Sequence, residues 1–170
     1  MTLEKLNSLS IEQAEDWFLK TCTARRWCSM MVAGRPYSSI EQLNVQAEEH
    51  WLEMTNDDLL EAFSGHPMIG NVETLKAKYA NTKAIAAGEQ SGMDGANEAI
   101  YEQLHHLNHE YFARHGFIFI ICATGLTATQ MLSALEGRIA NTTTQEYVTA
   151  AQEQIKITLL RFDKALRDSQ

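Results

Sequence analysis

Two prolines in 170 residues leave this chain with almost nothing to interrupt a helix. Proline removes a backbone donor and clashes with the preceding turn, so a chain nearly free of it can stay helical over most of its length. Ala, Glu, Gln and Leu are abundant, and all four are good helix formers. Start signals recur as well. The string "SIEQ" occurs at residues 10–13 and 39–42. Each copy reads as a capping box, in which serine accepts from the backbone three residues on and glutamine reaches back. The residues after the two copies do not match, so the duplication is not a structural repeat.

Apolar spacing then places the helices. The first is expected from about Ile11, with Ala14, Trp17, Phe18 and Cys22 inward. A short one covers "ARRWCSMMVAG" and ends at Gly34; "RPYS" is a turn. A third starts after Ser39 and carries Leu43, Ala47 and Trp51. Thr55 caps a fourth, with Leu59, Leu60 and Phe63 on one side. It should stop at "SGHP", because the residue before proline is driven out of the α region. A long helix from Asp94 shows Ile100, Leu104, Leu107 and Tyr111 at helical spacing and ends near Gly116. The run "FIFIICATG" fits either a buried strand or a buried helix; the density of helices around it favours helix. Two more cover 127–139 and 143–166, the last with Val148, Ala151, Ile155, Leu159, Phe162 and Leu166 on one face. The prediction is an all-α, single-domain helical bundle of about seven to nine helices spanning residues 1–170.

Charge narrows the partners. A net charge of −8 disfavours nucleic acid and anionic membrane surfaces, yet one local arginine suffices to hold a small carboxylate. Three cysteines without a CxxC spacing give neither a zinc ribbon nor a disulfide framework, which points to a reducing cytoplasm. The first residues are too acidic and polar for a signal peptide. The longest apolar run is far short of a membrane span.

Against this helical background, "HPMIG" at residues 66–70 stands out. Pro67 fixes its own φ and restricts His66, while Gly65 and Gly70 allow close backbone approach. A short stiff loop of this kind aims one imidazole, a group that exchanges a proton near neutral pH. The other reading is a plain interhelical turn. "AAGEQSGMDG" at 86–95 is a second unusual stretch. Alone it reads as a solvated loop; beside His66, Glu89 can orient the ring and Gln90 can read an amide or urea group. His105 and His109 share a helix face, but the pattern is not HExxH and no third ligand is spaced for a metal. Arg161 flanks the apolar stripe of the last helix, as a rim salt bridge or as an anion clamp.

HPMIG, EQ, "NHEYFARHGFIFIICATG", "LEGRIAN" and "ITLLR" occur in this order. With "RPY" and the tryptophan-bearing helices before them, they resemble the OHCU decarboxylase family over nearly the whole chain. These enzymes act on 2-oxo-4-hydroxy-4-carboxy-5-ureidoimidazoline (OHCU) in urate breakdown. The resemblance implies an all-helical homodimer that needs no cofactor and takes a small ureidoimidazoline substrate. It assigns His66 and Glu89 to catalysis. Pro67, Gln90, Arg161 and the backbone of Phe119, Ile120, Ile121 and Cys122 are implied as substrate contacts. Ala86 stands where the family's S-x-x-E-Q has serine, and His115 where its K-F-G-F has phenylalanine. His66, Glu89 and Gln90 are expected to line one cleft near Arg161, closed on one side by the "FIFIIC" backbone. The competing classes are a helical interaction module and another ureide-processing enzyme, an isomerase or hydrolase.

Overall fold

The computed structural model describes residues 1–67 and 94–167. Among them there are eight helices and no strand: α1 (Leu3–Ser8), α2 (Ile11–Leu19), α3 (Arg25–Ala33), α4 (Ile40–Leu52), α5 (Asn56–Ser64), α6 (Asp94–His115), α7 (Ala128–Ile139) and α8 (Thr143–Arg167). The all-α class and the expected helix number are borne out. The chain divides into two compact units, Met1–His66 with Tyr147–Gln170, and Pro67–Glu146.

The first unit is organised by aromatic side chains. Phe162 of α8 stacks on Trp17 and Trp27, with ring centroids 5.5 and 6.1 Å away. Phe18 meets Trp27 and Phe162 edge-on. Large rings in these offset and T-shaped arrangements contribute beyond the apolar area they bury. The two buried indoles find carbonyls: Trp27 Nε1 donates to Ala47 O at 3.0 Å and Trp51 Nε1 to Ala151 O at 2.9 Å. α1 was not expected from the sequence. It is six residues long with one buried side chain, Leu6, too short to show a period. Its C-terminal carbonyls are collected by Arg35, whose Nη1 donates to Leu6 O and Leu9 O at 2.9 and 2.8 Å.

Caps explain most helix starts. Ser10–Gln13 is a complete capping box, and so are the Thr55 and Thr127 caps. The second "SIEQ" is only half of one. Ser39 Oγ accepts from Gln42 N, but Gln42 Oε1 turns to the backbone N–H and hydroxyl of Ser38 at 2.6 and 2.8 Å. A neighbouring serine with two donors outcompetes the single backbone N–H of Ser39.

In the second unit α6 packs against α7. The segment between them corrects the expectation of a helix at "FIFIIC", since residues 117–123 are neither helix nor strand. Gly116, at φ +79°, ends α6 in the left-handed region, and Gly125 turns the chain again at the same angle. Between them, β-branched and aromatic residues have little helical preference of their own.

α8 corrects the expected inward face. The buried residues are Glu146, Ala150, Gln154, Thr158, Phe162 and Leu166, one every four positions. Of the six residues expected inward, only Phe162 and Leu166 are buried, and Val148 is 56% exposed. Three polar side chains take core positions because each finds hydrogen-bond partners there.

Candidate functional site

His66 follows the last turn of α5. Its backbone N–H donates to Phe63 O at 3.2 Å, so the turn continues past Gly65 before Pro67 ends it. Gly65 is needed for space rather than for φ, which is an ordinary −73°. A Cβ there would collide with the Thr23 side chain, whose hydroxyl donates to Glu61 O at 2.9 Å and holds the end of α5 from behind. The His66 ring is half-buried, and its Nε2 lies 2.6 Å from Oε1 of Gln154. Gln154 is fully buried, and its Nε2 donates to Thr158 Oγ1 at 3.3 Å. Pro67 is exposed.

Arg161 lies farther along α8. Its Nη1 donates to Thr21 O at 2.8 Å, which leaves the rest of a five-donor fork. The salt-bridge alternative for Arg161 thus becomes, in part, a backbone anchor beyond the end of α2. Cys22 lies close by. Burial pushes its thiol up to about 11, against a smaller opposing effect of the Ala24 backbone and Arg161. Glu89, Gln90 and Ala86 lie outside the described residues.

Phe119, Ile120, Ile121 and Cys122 belong to the second unit, and an ion pair holds their backbone. Arg138 Nη1 donates to Ile120 O at 2.7 Å, and the guanidinium sits 4.4 Å over the Phe119 ring. The same arginine gives Nε and Nη2 to Glu146 Oε2 at 2.9 and 2.7 Å. Glu146 also accepts from Tyr111 Oη and, at 2.8 Å, from Asn141 Nδ2. Burial pushes the Glu146 carboxyl up, but the bonds from Arg138, Tyr111 and Asn141 outweigh it and hold the carboxyl below its ordinary range. The Tyr111 hydroxyl is pushed far up, by burial first and by Glu146 second. His115 is buried against Tyr111 and Phe117, with ring centroids at 4.5 and 6.2 Å, and its Nδ1 lies 3.0 Å from Thr143 Oγ1. Burial holds its imidazole below the usual histidine range.

His105 and His109 meet edge-on at 4.6 Å, and His106 faces Glu110 at 3.8 Å. Among the described residues no three His, Cys, Asp or Glu side chains converge on a metal position.

Sequence reasoning missed Gln154, Arg138 and Glu146. The readable signal was the four-residue recurrence of Glu146, Gln154 and Thr158 in register with Phe162, since polar side chains on a core stripe need internal partners. The first unit offers an imidazole bonded to a buried amide and an arginine anchored to a backbone carbonyl. The second offers a non-helical backbone segment fixed at one carbonyl.

Comparison with known proteins places the chain in a family. The chain is 33% identical over 161 residues to the uric acid degradation bifunctional protein TTL of Arabidopsis thaliana, covering 94% of this chain and 49% of that one. It therefore spans about half the length of that relative. It is 25% identical to a 2-oxo-4-hydroxy-4-carboxy-5-ureidoimidazoline decarboxylase of Haloferax volcanii, covering 95% of this chain and 94% of the other. A crystal structure of an OHCU decarboxylase in the presence of (S)-allantoin superposes with a TM-score of 0.70 at 31% identity, covering 90% of this chain and 98% of that one. With the family model for OHCU decarboxylase matching residues 7–163, this chain belongs to the OHCU decarboxylase family.

Proposed function

We propose that this protein decarboxylates OHCU to (S)-allantoin and CO2 in urate breakdown, with residues 1–170 acting as one catalytic domain of a cytoplasmic homodimer. The family match supports the reaction. The single structural observation that carries it is His66: a half-buried imidazole on a proline-stiffened helix end, engaged at one nitrogen by a fully buried amide. No helix among the described residues is long and apolar enough to cross a membrane.

The substrate supplies its own electron sink. Its carboxylate sits on a ring carbon next to a C=N bond. As CO2 leaves, the electron pair of the broken C–C bond moves toward the imine, whose nitrogen takes up a proton, and an enol forms. The protein then has to orient the ring and move protons. His66 accepts the hydroxyl proton and delivers one to the adjacent ring carbon, which yields the ketone form of allantoin. Glu89 orients His66, Arg161 opposes a substrate carboxylate, and Gln90 reads the ureido group. Pro67, Ala86 and the backbone of Phe119, Ile120, Ile121 and Cys122 complete the contacts; these roles rest on the family resemblance.

Freshly generated OHCU supplied to the purified full chain should release CO2 faster than the spontaneous decay. Circular dichroism of the product should show the S enantiomer in excess from early turnover. Racemic allantoin formed faster than background would remove the one-sided proton donor from the mechanism. Release at the background rate would remove the reaction itself.

A further inference from the structure

We propose that the connector between α2 and α3, residues 20–24, is the base of the candidate site, with Thr23 as a positioning residue for His66. This rests on the catalytic role proposed for His66, and its geometry lies within the first unit. Three successive residues of the connector each bond to a different helix. Thr21 O accepts from Arg161 Nη1 of α8 at 2.8 Å. Cys22 O accepts from Cys28 Sγ of α3 at 3.1 Å. Thr23 Oγ1 donates to Glu61 O of α5 at 2.9 Å, with Ala62 O at 3.3 Å. Thr21 and Thr23 are two residues apart, so at most about 7 Å of chain separates the anchor of Arg161 from that of α5. One short stretch of backbone thus serves both His66 and Arg161.

The end of α5 draws on this support. Gly65 N–H donates to Ala62 O at 3.2 Å, three residues back, so the last turn tightens and Glu61 O takes its bonds from side chains. Thr23 and Ser64 supply them, at 2.9 and 2.7 Å. Of the two, only Thr23 comes from outside the helix, so it fixes where the turn ends. Glu61 returns the bond. Its Oε2 accepts from Arg25 N at 3.0 Å, at the start of α3, where Ala24 offers no side-chain cap. Gly65 closes the contact: a Cβ on it would lie 2.2 Å from Thr23 Oγ1 and 2.6 Å from Cγ2. His66 is the next residue, and its backbone N–H belongs to the same turn. A displacement of about 1 Å, passed on to a catalytic imidazole, is enough to cost about a hundredfold in rate.

The test compares Thr23→Val, which keeps the shape and loses the hydroxyl, with Thr23→Ser, which keeps the hydroxyl; melting curves establish that each is folded. In Thr23→Val, kcat on OHCU should fall about tenfold to a hundredfold. KM should stay within about threefold, because Arg161 is anchored by the Thr21 carbonyl and not by the Thr23 hydroxyl. Thr23→Ser should restore kcat to within about threefold of wild type. A second readout needs no substrate. In full-length protein carrying 15N-labelled histidine, the His66 ring signal is assigned among the six histidines by its absence from His66→Ala. It should move in Thr23→Val and stay in Thr23→Ser. A purely stabilising role would lower the melting temperature and leave kcat and that signal alone, which would overturn the proposal. A lower kcat with an unmoved His66 signal would overturn it too. If Thr23→Val does not fold, Gly65→Ala decides. Its kcat should fall, and adding Thr23→Ala, which removes the two closest atoms, should cost nothing more. Losses that multiply would mean that the two residues act independently, and the proposal would fall. If the wild-type protein leaves OHCU untouched, the functional reading falls, while the His66 signal still shows whether Thr23 places that residue.

Discussion

His66 and the 117–122 segment are held in place by opposite means. A neutral amide, one hydrogen bond away, sets a single ring. An ion pair with four donors converging on Glu146 fixes a stretch of backbone through the Ile120 carbonyl. The difference follows from what each has to do. The amide steadies a ring that takes and gives a proton without adding a charge of its own, whereas a backbone that must not move tolerates strong charged bonds. The same contrast predicts which substitutions damage turnover and which damage folding.

The largest effect should come from His66→Ala. Losing a general acid typically costs about 10² to 10⁴-fold in rate. The ring is only half-buried and lies past the end of α5, so the melting temperature should hardly move. A folded variant with full activity would break the contrast at its catalytic end.

Arg138→Met should act the other way, on stability first. It leaves a fully buried Glu146 carboxylate without its cation, a change worth about 3–5 kcal/mol in denaturant unfolding. The pH dependence sharpens the test. Because the Glu146 carboxyl is held below its ordinary range, its contribution is present above the unfolded carboxylate pKa and is lost as pH falls through the lower folded value. Removing Arg138 should flatten that acid limb of the stability curve.

The smallest effect should come from His115→Phe. The ring is packed between Tyr111 and Phe117, so a phenyl ring fits, and stability at pH 8 should change by about 1 kcal/mol or less. Below about pH 6.5 the two proteins should diverge. The folded pKa of His115 is depressed, so its stabilising effect is full above the unfolded value and is lost on acidification toward the folded one. The phenylalanine variant has no such loss, and thermal melts from pH 8 to 5 would show it.

The parts of this molecule governed by local chemistry were legible in its sequence. Caps at Ser10, Ser39 and Thr55 lie where the sequence announced them, and α5 stops before Pro67. The elements misread are those in which a distant partner decides. The 117–122 run forgoes a helix because Gly116 ends one and Arg138 supplies a partner for the Ile120 carbonyl. The inward face of α8 carries Gln154 and Thr158 because they bond to each other and Gln154 also bonds to His66. Hydrophobic periodicity cannot register a polar side chain that is buried by its partners. Of the candidate site, His66 and Arg161 were singled out in the sequence, but the groups they bond to, Gln154 and Thr21 O, were not.

The two glycines that bracket the 117–122 segment have one more consequence. Both sit at φ +79°, and a Cβ built on either would meet no heavy atom within 4 Å. What excludes a side chain there is handedness, not volume. An L-alanine would carry the left-handed penalty of about 1–2 kcal/mol despite the open space around it. A D-alanine, identical in size, would be at ease in the same backbone. These corners select for chirality, and the path of the chain between α6 and α7 depends on the one natural residue that has none.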